Sequence, residues 1–138
     1  MTVEITPVPL DLVNHVWDSV KGFIKSATDT TGGKYNEDDV YNDIQRGTYV
    51  LWIIVDKDDI IGTLTTRIAA YPNRRSMSID WLGGNRLEEL LPVFHPVMEQ
   101  YAKDNRCTHL EGYGRGGWAR TLKDYGWKAD FVVYNMEL

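Results

Sequence analysis

The sequence predicts an α/β (α+β) fold, a mixed and mostly antiparallel sheet with helices on both faces. Three observations predict it. Apolar residues between 13 and 27 recur every three or four positions. Those between 49 and 82 fall into strand-like runs parted by turn residues. From 87 onward helical spacing returns, followed by two further strand-like runs that flank a short helical one. The resulting order is β-α-α-β-β-β-α-β-α-β.

Val3 to Pro7 reads as a first strand, stopped by Pro7 and Pro9. Val13, Val16, Trp17, Val20, Ile24 and Ala27 form the inward stripe of a first helix, with Asp11 as its expected N-cap. Thr28 to Gly33 is a polar loop. Asn36 is placed to cap a second helix. Glu37, Asp38 and Asp39 suit the positive end of its dipole, Val40, Tyr41 and Ile44 face inward, and Gly47 ends it.

Tyr49 to Val55 and Ile60 to Ile68 form a hairpin about the turn Asp56-Lys57-Asp58-Asp59, and Tyr71-Pro72-Asn73 marks the next turn. Ser76 to Leu82 alternates, so Met77, Ile79 and Trp81 are expected on one face and Ser76, Ser78 and Asp80 on the other. Leu87, Leu90, Leu91, Phe94, Val97, Met98 and Tyr101 form a third helical stripe, in which Pro92 and Pro96 predict a kink or a late start. Thr108 to Gly112 reads as a strand, Trp118 to Tyr125 as a short helix, and Ala129 to Glu137 as a terminal strand.

The chain has 138 residues, which predicts one domain able to bury a core without metal or disulfide staples. It carries 15 Lys+Arg against 20 Asp+Glu, a balance of −5 that argues against nucleic-acid binding, although Arg74 and Arg75 are adjacent. The single cysteine, Cys107, excludes an intrachain disulfide and reads as a small, half-buried residue. Neither a secretory leader nor an apolar run of ~20 residues is visible, so no membrane association and a reducing cytoplasm are expected. Five Trp and eight Tyr are many for this length and are read first as core side chains. His15 and His95 have no second His or Cys at ligand spacing, so no metal site is expected.

Several local features carry a resemblance. They are the hairpin Val50 to Leu64 with Asp59-Ile60-Ile61-Gly62 after its turn, the strand at Leu110 and Glu111, the helix Trp118 to Lys123, and Gly126-Trp127 before a last strand. Together with the element order they resemble the GNAT superfamily of N-acetyltransferases over nearly the whole chain. The segment Gly114-Arg115-Gly116-Gly117-Trp118-Ala119-Arg120 with Gly126-Trp127 looks most like small GNAT-like proteins of tailed phages. The resemblance implies two splayed parallel strands, here Ser76–Leu82 and Thr108–Gly112, with the pantetheine arm of acetyl-CoA in the gap. It implies that Leu82, Gly83, Gly84, Asn85, Arg86 and Leu87 receive the pyrophosphate at a helix start. It also implies acetyl transfer to an amine, and, for a phage protein, the host cytoplasm.

The chain departs from that pattern in two places. The family's phosphate loop, Arg/Gln-x-x-Gly-x-Gly/Ala, is replaced by Trp81-Leu82-Gly83-Gly84-Asn85-Arg86-Leu87, with Glu88 and Glu89 at the helix start. Gly83 and Gly84 therefore read equally as a cofactor cradle or as a plain strand-to-helix turn. The family's tyrosine acid falls on Leu122, and Tyr125 is out of register. Candidate replacements are Asp80, Glu111 and Tyr113, because His109, Glu111 and Tyr113 alternate along one strand face and Asp80 lies on the neighbouring strand.

Gly112-x-Gly114-x-x-Gly117 matches a dinucleotide fingerprint. It lacks the crossover helix, second strand and distant acidic residue that such a unit requires. Two functions follow. One is an acetyl-CoA-dependent N-acyltransferase acting on a small amine or a basic protein. The other is a non-catalytic module that docks on a host or phage partner, with a homodimer as a further possibility should the last strand be left as an open edge.

Overall fold

The computed structural model describes residues 3–114 and 118–138. Arg115, Gly116 and Gly117, part of the segment that carries the resemblance to small phage proteins, lie outside the described residues. The elements are β1 (Val3–Pro7), α1 (Val13–Thr28), α2 (Glu37–Gln45), β2 (Val50–Asp56), β3 (Asp59–Tyr71), β4 (Arg74–Gly84), α3 (Leu87–Asp104), β5 (His109–Gly112) and α4 (Trp118–Lys123). The strands form one sheet in chain order, β1-β2-β3-β4-β5. Every neighbouring pair is antiparallel except β4 and β5, which run parallel.

Helices cover both faces, each held by its own core. Val13, Val20 and Ile24 of α1 and Val40 and Ile44 of α2 pack with Tyr49 and Leu51 on one side. On the other, Leu90, Leu91, Phe94 and Met98 of α3 pack with Trp52, Ile54 and Leu64. Alternation along β2 divides Leu51 from Trp52 between the two cores, as a pleated strand requires. Cys107 is buried beside Met77 and Ala102, a packing position.

The α2 cap forms as the residue types dictate. The Asn36 side chain accepts from the Asp39 N–H at 2.9 Å, and Asp39 accepts from the Asn36 N–H at 2.9 Å. Gly47 follows the helix at φ +81°. The α1 start differs from expectation. A 3₁₀ turn over Leu10–Leu12 absorbs Asp11, so Leu12 takes the N-cap position and no side chain caps the helix. In α3 both prolines stand inside one continuous helix. They lie four residues apart on its exposed side, where the carbonyls left without a backbone donor meet water.

Two further expectations are overturned. Met77, Ile79 and Trp81 do not share a face. A β-bulge interrupts the β3–β4 ladder between the pairs Thr63↔Gly83 and Thr65↔Asp80, with Trp81 at φ +49°. The extra residue shifts the alternation by one, so Trp81 joins the α1/α2 core while Ile79 and Leu82 pack on the α3 side. The terminal strand expected over Ala129–Glu137 does not form. Residues 127–138 carry no regular structure, and Phe131, Val132, Val133, Tyr134 and Met136 are exposed. The β-forming residues are present, but the chain brings no strand edge alongside them.

Candidate functional site

The β4–β5 pair sets the site. Its register runs Ser76↔His109, Met77↔Leu110, Ser78↔Glu111 and Ile79↔Gly112, and there it stops. β4 continues to Gly84, whereas the chain beyond Gly112 leaves the ladder. A Cβ on Gly112 would lie 3.0 Å from the Ile79 carbonyl oxygen, so glycine lets the strands stay paired up to the point where they part. The result is a fork with the bulge at Trp81 just inside its β4 arm.

Parity and register bring Asp80 and Glu111 to this fork, and Tyr113 lies just past the end of β5. Ser78 and Glu111 are side by side across the parallel pair, and Asp80 is next on the same face of β4. Arg67, opposite Ser78 on β3, reaches back to Asp80 with Nε 3.1 Å from Oδ2. The Ser78 hydroxyl donates to the other Asp80 oxygen at 2.9 Å. Burial pushes the Asp80 carboxyl above the usual carboxylate value, opposed by Ser78 and by the Arg67 charge. Glu111 accepts from the Tyr71 hydroxyl at 2.8 Å, and that bond pushes the Tyr71 phenol up to about 12, so it remains a donor through the neutral range. Tyr113, just past the fork, is 66% exposed.

The bulge contributes an aromatic wall. The Trp81 ring lies 4.9 Å from that of Tyr35, in the loop between α1 and α2. Its indole N–H is buried beside the Tyr49 hydroxyl without reaching hydrogen-bond geometry, and burial pushes the Tyr49 phenol up. Tyr35 also lines an open depression of about 370 Å3 formed with Lys34, Asp39, Asn42, Asp43 and Arg46. Tyr49, Arg67 and Tyr71 were not singled out in the sequence. Arg67, a charge inside an otherwise apolar and threonine-rich strand, was the signal available.

The candidate cofactor loop is Leu82, Gly83, Gly84, Asn85, Arg86 and Leu87. Leu82 packs into the α3-side core. A Cβ on Gly83 would overlap the Phe23 carbonyl oxygen of α1 and lie 2.8 Å from its carbonyl carbon. A Cβ on Gly84, at φ +154°, would lie 2.7 Å from the Gly62 Cα. These glycines are therefore required by packing against α1 and β3, whatever else they do. The Asn85 N–H donates to the Ile61 carbonyl at 3.0 Å. Arg86 is the α3 N-cap at φ +55°, with no side chain closing the helix start. Its guanidinium lies 3.9 Å from Asp56 and 3.7 Å from Glu89. An uncapped helix N-terminus beside the fork fits an anionic group, while the two carboxylates already share the Arg86 charge. Leu122 packs in the α3-side core. Tyr125 packs there too, with its ring 4.7 Å from His95.

No protein-family model and no curated protein matches this sequence. Solved structures do match its fold. An aminoglycoside acetyltransferase from an uncultured soil metagenomic sample superposes with a TM-score of 0.71 at 10% identity, covering 100% of this chain and 99% of that one. Glucosamine-6-phosphate N-acetyltransferase from Arabidopsis thaliana gives 0.65 at 14% identity, with 99% of each chain covered. The chain has the GNAT fold. A third GNAT-fold neighbour, a predicted acetyltransferase with acetyl-CoA from Clostridium acetobutylicum, gives 0.64 at 11% identity over 98% of this chain and 96% of that one. At these identities the likeness is one of fold, and the forked β4–β5 pair agrees with the GNAT arrangement expected from the sequence. Among the described residues, no helix is long and apolar enough to cross a membrane.

Proposed function

We propose that the protein is an N-acyltransferase that moves an acetyl group from acetyl-CoA to the amine of a small molecule or a basic protein. The observation that carries this reading is the convergence of Asp80, Glu111 and Tyr113 at a fork whose arms part after Ile79 and Gly112. In this reading the fork and the uncapped α3 start at Arg86 and Leu87 hold acetyl-CoA, which supplies an activated acyl thioester. The bulge at Trp81 interrupts the β3 ladder, and in this reading a backbone N–H left unpaired there serves as a donor to the acyl oxygen.

Each side chain then has a role. Glu111, with one oxygen held by Tyr71, keeps its other oxygen to take the proton of the incoming amine. Tyr113, exposed at the mouth, delivers a proton to the leaving sulfur. Asp80 is a positioning residue, tied to Arg67 and Ser78 behind Glu111. The acceptor enters past Tyr35, at a depression lined by the carboxylates Asp39 and Asp43 and the cations Lys34 and Arg46.

Calorimetric titration with acetyl-CoA tests the reading. Micromolar binding is expected, followed by thiol release on addition of an accepted amine. Glu111→Gln should keep the binding and lose ~10²-fold or more in turnover. No binding up to millimolar acetyl-CoA would sink the enzyme reading. Two observations favour a second reading, a non-catalytic module such as a phage protein docking on a host or phage partner. Arg86 is already engaged by two carboxylates, and Leu122 is spent on the core.

A further inference from the structure

Buried polar side chains in this protein have partners almost throughout. The Trp52 indole donates to the Thr66 hydroxyl at 3.0 Å, and the Thr63 hydroxyl donates to the Trp52 carbonyl at 2.6 Å. The Trp127 indole, at the root of the C-terminal tail, donates to His95 Nε2 at 2.8 Å. Among the described residues two buried side-chain atoms have no partner, the Trp81 indole nitrogen and the Ser76 hydroxyl. Ser76 is at 0% exposure. A buried hydroxyl without a partner is unfavourable, and alanine at this position would avoid that cost.

Register shows what surrounds it. Ser76 lies between Ala69 of β3 and His109 of β5. Parity puts Arg74 and Ser78 of β4, Tyr71 of β3 and Glu111 of β5 on the same face. Tyr71 is level with Arg74, and Glu111 is level with Ser78. Their 2.8 Å bond therefore joins β3 to β5 and passes over Ser76. Ala69, Ser76 and Ser78, all small and all buried, form a floor beneath this strap. Tyr71 is 47% exposed, so its ring is able to lift.

The two ends of the floor differ in charge. Glu111 offers a carboxylate at the fork end. At the other end Arg74 is exposed and makes no ion pair among the described residues, and His109 is exposed beside Ser76.

We propose that this floor is the acceptor subsite and that the acceptor is a small ω-amino carboxylate, its nitrogen at Glu111 and its carboxylate on the Ser76 hydroxyl and Arg74. The proposal rests on the acetyltransferase reading and narrows its acceptor to a zwitterion. Ser76 and the level of Glu111 are two residues apart, about 7 Å along the strand, which suits an extended five-carbon ω-amino acid. Tyr71 lifts to admit this molecule and lies back over its methylenes. The ammonium loses one proton to Glu111, the resulting amine attacks the thioester carbonyl, and its second proton leaves with the thiol.

Calorimetric titration of the full chain with 5-aminopentanoate, in the absence of acetyl-CoA, reads the subsite apart from the reaction. Submillimolar binding is expected, with pentylamine and pentanoate each at least tenfold weaker. Ser76→Ala should weaken 5-aminopentanoate about tenfold or more, leave pentylamine unchanged, and melt no lower than the parent. Arg74→Gln should weaken it likewise. No binding of 5-aminopentanoate, or equal binding of pentylamine, would overturn the proposal. A Ser76→Ala protein that binds as tightly as the parent and melts lower would overturn it too, because the serine would then be structural. Ser76-dependent binding without acetylation on adding acetyl-CoA would uphold the subsite and refute the acetyltransferase reading alone.

Discussion

Replacing Gly83 by alanine separates a packing role for the glycine pair from a ligand-binding one. The added Cβ would overlap the Phe23 carbonyl oxygen and come within 2.8 Å of its carbonyl carbon and 3.1 Å of its Cα. All three are backbone atoms, so no rotamer change relieves the contact and α1 must move. That helix seats Val20 and Ile24, both at 0% exposure, so any displacement opens the α1/α2 core. Overpacking of this kind costs about 1–3 kcal/mol, and the absence of a flexible neighbour puts Gly83→Ala at the upper end. Gly22→Ala is the matched control. It lies on the exposed side of the same helix with nothing within 4 Å of a Cβ, and it should gain about 0.5–1 kcal/mol from helix propensity. For a chain of this size the two variants should melt about 10 °C apart, on either side of the parent. Thermal and urea denaturation read the difference. A Gly83→Ala protein within 0.5 kcal/mol of the parent would refute the packing argument. If that same variant also lost acetyl-CoA binding, the glycines would belong to the ligand.

Three further outcomes are expected. Arg67→Met leaves the Asp80 carboxylate buried without its cation and should cost about 2 kcal/mol at neutral pH. The folded Asp80 already titrates above its ordinary value, so its neutral form is favoured on folding, and the variant's deficit should shrink as pH falls toward that value in urea titrations. Tyr71→Phe removes the donor that holds Glu111, which should lower turnover while melting stays unchanged, because Tyr71 is exposed. Asn36→Ala breaks the reciprocal cap of α2 and should cost about 1 kcal/mol by thermal melting, with Asn36→Asp restoring most of it.

What the sequence discloses follows the range of the interaction concerned. The α2 cap is legible because its partners are three residues apart. The strands and helices are legible because periodicity is local, whereas the face shared by Asp80 and Glu111 follows only from the β4–β5 register. Trp81 is misplaced because alternation counts residues, and one residue inserted in the ladder leaves no local mark. Arg67, Tyr49 and Tyr71 escape notice because cross-strand register brings them to the site. The tail reads as a strand because propensity describes a segment, whereas a strand also needs an edge to lie against. Gly83 and Gly84 stay ambiguous in the sequence because a glycine that admits a ligand and one that admits a helix look alike until the neighbour is known.

The Trp127–His95 contact also fixes something no heavy-atom distance states. An indole nitrogen can only donate, so His95 Nε2 must accept, and the ring proton therefore sits on Nδ1, 2.8 Å from Glu99. A histidine so arranged holds one tautomer as long as the tail's root is in place. Its ring nitrogens then give two well-separated ¹⁵N resonances, which would merge toward an average if the root came away. The molecule thus carries an isotope-visible gauge of its own C-terminal anchor, set in a helix that the tail itself never enters.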